Sequence, residues 1–221
     1  MMKKSVLSLA LTLLLFSCDP VKYDTGEFPE VPVNFEEINT EFDDYNSTMT
    51  FLGEIFPLCF SSNRRTLGGN FDIIYKQILI RFMETTGELR VEEYVSSGIS
   101  ITPTEATLAG AVRQTVTTGD ELGPCLLPMW EHYLVGYDSY VLVYSSDVGG
   151  NQDMYFTENI TTGSYEEPRA ITFLNSDSTD AYFTVNRDFT RAYFCSDREG
   201  GFDIYSAPLD NSQKPVEALS D

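Results

Sequence analysis

Apolar positions along this chain fall in short alternating runs that break at clusters of Ser, Asp, Asn and Gly. Three of these breaks share one pattern: Phe60-Ser-Ser-Asn-Arg-Arg-Thr-Leu-Gly-Gly-Asn-Phe-Asp-Ile-Ile-Tyr75, Tyr144-Ser-Ser-Asp-Val-Gly-Gly-Asn-Gln-Asp-Met-Tyr155 and Phe194-Cys-Ser-Asp-Arg-Glu-Gly-Gly-Phe-Asp-Ile-Tyr205. Each copy starts at the end of an apolar strand, crosses a polar turn and re-enters a strand of alternating apolar and aromatic residues, which predicts a β-hairpin. A unit recurring at tens of residues cannot bury its own apolar face and stacks on its copies. The expected fold is an all-β repeat array.

The residues of the turn have separable roles. The pairs Gly68-Gly69, Gly149-Gly150 and Gly200-Gly201 supply backbone with φ > 0, and Ser62, Asn63, Ser146, Asp147, Ser196 and Asp197 can bond nearby amides. Asp72, Asp153 and Asp203 recur two or three residues before Tyr75, Tyr155 and Tyr205. An active site uses a carboxylate once, whereas these occur in every copy, so they read as acceptors that hold the unit together. The tyrosines read as packing between units, with hydroxyls at the wet edge. Asp72 to Asp153 spans 81 residues and Asp153 to Asp203 only 50, so the first interval holds either an extra degenerate unit or, the favoured reading, one unit with an insertion. Phe71–Phe82 and Leu89–Val95 predict a long outer hairpin, 96–111 a Ser, Thr and Pro-containing connection, and Ala111–Thr118 the start of the second unit. Gly123-Pro-Cys-Leu-Leu-Pro-Met-Trp130 reads as an apolar loop shaping a ligand face, with Trp130 the weak candidate contact. Lys214–Asp221 reads as an outer strand.

These copies resemble the WD40-like PD40 repeats of TolB-type β-propellers, in which a strand ending in Tyr or Phe is followed by Ser-Asp-Arg, Gly-Gly and Asp-Ile-Tyr. The third copy, with Arg198, matches at nearly every motif position; the first, with Arg64, has three extra residues before Gly68, and the second has Val148 in place of Arg. Ile38-Asn39-Thr40-Glu41 and Leu174-Asn175-Ser176-Asp177 resemble the linker that opens a blade. The resemblance covers 38–221 and implies a β-propeller of the six- or seven-bladed family. About three blades would be present, near 38–98, 111–168 and 171–221, as an incomplete ring or one closed by oligomerisation. It also implies docking to envelope proteins, while a shared fold assigns no chemistry.

At the amino terminus Met1-Met-Lys-Lys4 is followed by twelve apolar-rich residues and Leu15-Phe16-Ser17-Cys18, too short for a spanning helix and suited to a signal peptide. It resembles a bacterial lipoprotein signal, with residues 1–17 removed and Cys18 acylated. Residues 18–37, acidic and containing Pro20, Pro29 and Pro32, read as a tether, with an edge strand at Val31–Phe35 as the alternative. The expected location is the cell envelope, lipid-anchored, the outer membrane above other sites.

The precursor has 14 basic and 34 acidic residues, net −20, which opposes binding to nucleic acid or anionic lipid. Cys59, Cys125 and Cys195 remain after lipidation, without metal-site spacing, and read as small buried hydrophobes, with one disulfide and a free thiol as the alternative. Cys59 precedes its aromatic and Cys195 follows one, from which opposite faces are expected. His132 is the single histidine and no nucleophile motif surrounds it, so neither catalytic residues nor a cofactor or metal are expected. The reading is a non-catalytic binding module for an envelope protein or cell-wall polymer. The alternative is a surface carbohydrate-binding or glycoside-processing lipoprotein.

Overall fold

The computed structural model describes residues 22–50, 55–95, 103–128, 140–160 and 164–220. They form mostly antiparallel β-sheet, as expected for an all-β chain. The first sheet runs in the order β1 (Asp44–Met49), β2 (Ile55–Ser62), β3 (Asp72–Met83) and β4 (Glu88–Glu93). The second holds β5 (Glu121–Pro128), β6 (Tyr140–Ser146), β7 (Asp153–Ile160) and β8 (Ser164–Tyr165), with β9 (Arg169–Ala170) also on β7; the third holds β10 (Asp180–Val185), β11 (Arg191–Ser196) and β12 (Asp203–Pro208). Each motif copy is the turn of one hairpin: β2–β3, β6–β7 and β11–β12.

The three sheets share one register. Ser62 pairs with Asp44 on one side and Asp72 on the other, Ser146 with Glu121 and Asp153, and Ser196 with Asp180 and Asp203. Each first strand also bulges at one place, between Tyr45 and Thr48, Leu122 and Cys125, and Ala181 and Thr184. At the same offset in each bulge lies a left-handed residue: Asn46 (φ 55), Gly123 (φ 58) and Tyr182 (φ 61). An extra residue in αL is a regular way to bend an edge; Asn and Gly suit it, and Tyr does not.

The chain clusters into two compact units, 1–33 with 80–91 and 34–79 with 92–221. In the smaller one, Tyr23 N–H donates to Glu84 O (2.8 Å), and Glu27 both donates to Gly87 O (3.0 Å) and accepts from Leu89 N–H (2.8 Å). Gly26 is needed there, because a Cβ would stand 2.5 Å from Leu89 Cδ2.

In the larger unit the second sheet is buried on both faces. Leu126, Tyr140, Leu142 and Tyr144 pack with Cys59 and Ile73 of the first sheet, and Leu127, Val141, Val143, Met154 and Phe156 pack with Phe183, Ala192 and Phe194 of the third. That is why Tyr140-Val-Leu-Val-Tyr144 is apolar without alternation. Helix α1 (Pro103–Gln114) adds Leu108 and Val112 to the first of these cores. It replaces the expected irregular connection, with Pro at the first helical position, where its missing N–H costs nothing. Ala111–Gln114 therefore close a helix, where the start of the second unit was expected. The expected loop at Gly123–Trp130 is strand β5 as far as Pro128, and the expected outer strand after Lys214 contains the one-turn helix α2 (Pro215–Ala218). Val31–Phe35 forms no strand. Cys59 and Cys195 each flank their aromatic by one residue, so alternation sends both to the same relative face, the one turned toward the following sheet. All three described cysteines are free thiols.

Candidate functional site

The turns are held by an acid that lies outside the recognised motif, at the head of each first strand. Asp44 Oδ2 accepts from Thr40 N–H (2.8 Å) and Oγ1–H (3.0 Å), and its Oδ1 from Arg64 Nη2 (2.6 Å). Arg64 Nη2 also donates to Ile38 O (2.7 Å) and its Nε to Ser62 Oγ (3.0 Å). The third sheet repeats this bond for bond. Asp180 accepts from Ser176 N–H (2.6 Å) and Oγ–H (2.8 Å), and Arg198 reaches Asp180 (2.5 Å), Leu174 O (2.7 Å) and Ser196 Oγ (2.9 Å). Burial pushes both carboxyls up, but hydrogen bonds from the serines, arginines and Thr40 or Ser176 outweigh it and hold them below the ordinary range.

The second sheet lacks the arginine. Val148 stands in its place, and the acid is one methylene longer: Glu121 Oε1 accepts from Thr117 Oγ1–H (2.5 Å) and Ser146 Oγ–H (2.9 Å). Glu121 is fully buried with no ion pair among the described residues. Desolvation raises its pKa, against the opposing bonds from Thr117 and Ser146.

The motif residues divide accordingly. The oxygens of Asn63, Asp147 and Asp197 cross to the first strand and accept from Asp43, Asp120 and Thr179 N–H (3.0, 2.7 and 2.8 Å). Ser62, Ser146 and Ser196 accept from the amides two residues on, at Arg64, Val148 and Arg198. One glycine of each pair takes positive φ, Gly68, Gly150 and Gly200, whereas Gly69, Gly149 and Gly201 do not. In the first copy, where extra residues follow Arg64, Arg64–Thr66 form a 3-10 turn that ends at left-handed Leu67. Asp72, Asp153 and Asp203 make no side-chain hydrogen bond among the described residues, and Asp153 Oδ1 is buried without a partner. The role expected of them falls to Asp44, Glu121 and Asp180. Tyr75 and Tyr155 both pack into the core between the first and second sheets, and Tyr155 stacks on Tyr144 (6.0 Å) as Tyr205 does on Phe194 (5.9 Å). The missed acids had a sequence signal: Thr40, Thr117 and Ser176 each precede theirs by four residues.

The bulge row is where the copies diverge. The Tyr182 ring lies over Gly123, its Cδ1 2.9 Å from where a Cβ would sit. Tyr45, half-exposed, meets Phe71 edge-on (4.9 Å). Its hydroxyl is pushed up to about 12 by burial and then by Tyr182, Asp120 and Asp43. Two accessible rings suit the apolar faces of a polyol; of the two neighbouring carboxylates, Asp120 Oδ1 already accepts from Phe71 N–H (2.8 Å) and Asp43 Oδ2 from Asn63 Nδ2 (3.5 Å), which leaves one oxygen of each for a hydroxyl. A second, shallow depression of about 500 Å³ is lined by Phe173, Pro208, Leu209, Asp210 and Ala218, but its one charge, Asp210, is engaged by Ser212 (2.6 and 3.0 Å). Among the described residues no cluster of His, Cys, Asp or Glu could hold a metal, and no helix is long and apolar enough to cross a membrane. Cys18, Trp130 and His132 lie outside the described residues.

No family model matches this chain, and no curated protein matches it either.

Proposed function

We propose that this chain is a lipid-anchored, non-catalytic module of the bacterial envelope, built as a β-propeller of the TolB-like PD40 type. It is held at the membrane through Cys18 and binds an envelope protein or a cell-wall polymer. The observation that carries the reading is the thrice-repeated network around Asp44, Glu121 and Asp180. These carboxylates, with their arginines and serines, are engaged in internal hydrogen bonds, so they serve the scaffold and leave acid–base chemistry without free groups there. Recognition then falls to positions that differ between copies on one shared backbone, the usual division in repeat folds. Crosslinking in intact cells tests it: a defined envelope protein or peptidoglycan fragment is expected as the product, and a Cys18→Ser chain should lose both lipid and crosslink. Absence of any envelope product from the lipidated chain would refute the docking reading.

A second reading, capture of surface carbohydrate, is favoured by the half-exposed rings of Tyr45 and Tyr182 beside Asp43 and Asp120. Retention on immobilised envelope glycans that survives Tyr182→Asn unchanged would count against it.

A further inference from the structure

In the smaller unit a strap of chain runs beside the outer hairpin. Tyr23 N–H bonds Glu84 O at the hairpin turn, Glu27 exchanges bonds with Gly87 and Leu89, and Glu27 pairs in parallel with Glu88. Side chains close around the same points: Phe82 Cδ2 stands 2.9 Å from where a Cβ of Gly26 would sit, and the Tyr23 ring 2.8 Å from that of Gly87. The amino-terminal segment is thereby fixed to the hairpin from Tyr23 to Glu27.

Apolar side chains remain exposed along this unit. Phe28 is 52% exposed, Val31 71% and Val33 75%, with Tyr23, Phe82 and Val91 also open to solvent. The hairpin tip is polar by contrast, Glu84-Thr-Thr-Gly-Glu88, and its two acids are paired, Glu84 with Lys22 (3.1 Å) and Glu88 with Arg90 (2.8 Å). Apolar area gathered in one region marks an interaction site. A protein strand added beside 28–33 would find no N–H at Pro29 or Pro32, whereas a lipid interface asks for none. Covalent geometry also favours lipid. Only Asp19, Pro20 and Val21 separate Cys18 from Lys22, and four residue steps reach at most about 14 Å.

We propose that the smaller unit lies along the bilayer surface, with Phe28, Val31 and Val33 seated in the lipid interface. The polar tip gives no reason for the hairpin to enter end-on. The surface is zwitterionic lipid, because Asp24, Glu27 and Glu30 form no ion pair among the described residues and are repelled by anionic headgroups. The inference rests on acylation of Cys18 and adds to that reading an orientation and the side chains that set it.

The test uses the full chain extracted from its membrane and reconstituted into phosphatidylcholine vesicles, after intact mass has established the acyl groups. Quenching by brominated phosphatidylcholine is read for Phe28→Trp and for Val31→Trp, with the unsubstituted chain supplying the contribution of Trp130. Each added indole should lose about half of its emission or more, because interfacial side chains sit about 5–10 Å into the headgroup boundary. Adding Val31→Asp and Val33→Asp to the Phe28→Trp chain should reduce that quenching about twofold or more, as charge opposes interfacial burial. Far-ultraviolet circular dichroism should stay unchanged, as for exposed sites. An acylated chain whose added indoles are not quenched would overturn the proposal and leave the anchor standing. So would quenching that the two aspartates do not alter, since the anchor alone would then account for it. A chain without acyl groups would overturn both the proposal and the reading on which it rests.

Discussion

Replacing Arg198 by Val turns the third turn into a copy of the second, but without the change of acid that accompanies Val148. Asp180, its side chain 0% exposed, would keep its bonds from Ser176 and lose its cation. Removing one partner of a buried pair costs about 3–5 kcal/mol. The Arg198 side chain keeps 29% exposure, so screening places the expected loss at the lower end, about 3 kcal/mol. With a urea slope of about 2 kcal/mol/M, the midpoint followed by circular dichroism should fall by about 1.5 M. The variant carrying both Asp180→Glu and Arg198→Val should recover most of that, because Glu121 satisfies itself through Thr117 and Ser146 without an arginine. The pH dependence has a definite sign. Asp180 is held below 3.8 in the folded chain, so its contribution is present above that value and is lost as pH falls through the folded pKa. The deficit of Arg198→Val should shrink over the same window. A shift below about 0.3 M, or a double variant no more stable than Arg198→Val alone, would refute the equivalence of the two networks.

Further outcomes follow from the same geometry. Glu121 has a folded pKa raised above 4.5, so its ionisation weakens the fold increasingly as pH rises from there toward the folded value. Glu121→Gln should therefore be more stable than the unsubstituted chain at neutral pH and no more stable near pH 4, by urea titration at both. Gly123→Ala should cost about 1–2 kcal/mol in the same assay, since it forces Ala into φ 58 against the Tyr182 ring. Asn46→Gly at the matching position should cost no more than about 0.5 kcal/mol. Tyr182→Asn should abolish glycan retention if the rings bind sugar, while far-ultraviolet circular dichroism stays unchanged.

The hairpins were legible because Ser, Gly-Gly and Asp recur at short range, and the outer hairpin because Thr85–Glu88 is strongly turn-forming. Helix α1 was not: Thr102-Pro103-Thr104 and Gly110 look like loop chemistry, and its apolar stripe of Leu108, Ala111 and Val112 spans barely one turn. Gly110 is there for packing, since a Cβ would meet the Tyr165 ring at 2.5 Å. β5 was hidden by Gly123 and Pro124, which read as a turn until the bulge is known to require a left-handed residue. The acids that hold the turns escaped notice because they are 16–25 residues from their serines and change identity with the arginine. Asp72, Asp153 and Asp203 drew attention by regular spacing alone.

The second sheet shows what the repeat constrains. Between the first and second copies the acid changes length, the arginine becomes valine and the opening Thr remains, yet register and bulge are preserved. What is held constant is therefore satisfaction of one buried carboxylate by the opening Thr or Ser and the turn Ser, with arginine one of two ways to complete it. The bulge residue is under a weaker constraint, a left-handed backbone, which Asn46 and Gly123 meet without strain. Tyr182 meets it at a cost of about 1–2 kcal/mol, although the third sheet is otherwise the most regular of the three. A strained aromatic kept where glycine would fit better is explained by what its ring touches. On the inside that is Gly123, which leaves the ring its room; the residue keeps 39% exposure, and under the carbohydrate reading proposed above a sugar would add its contact there.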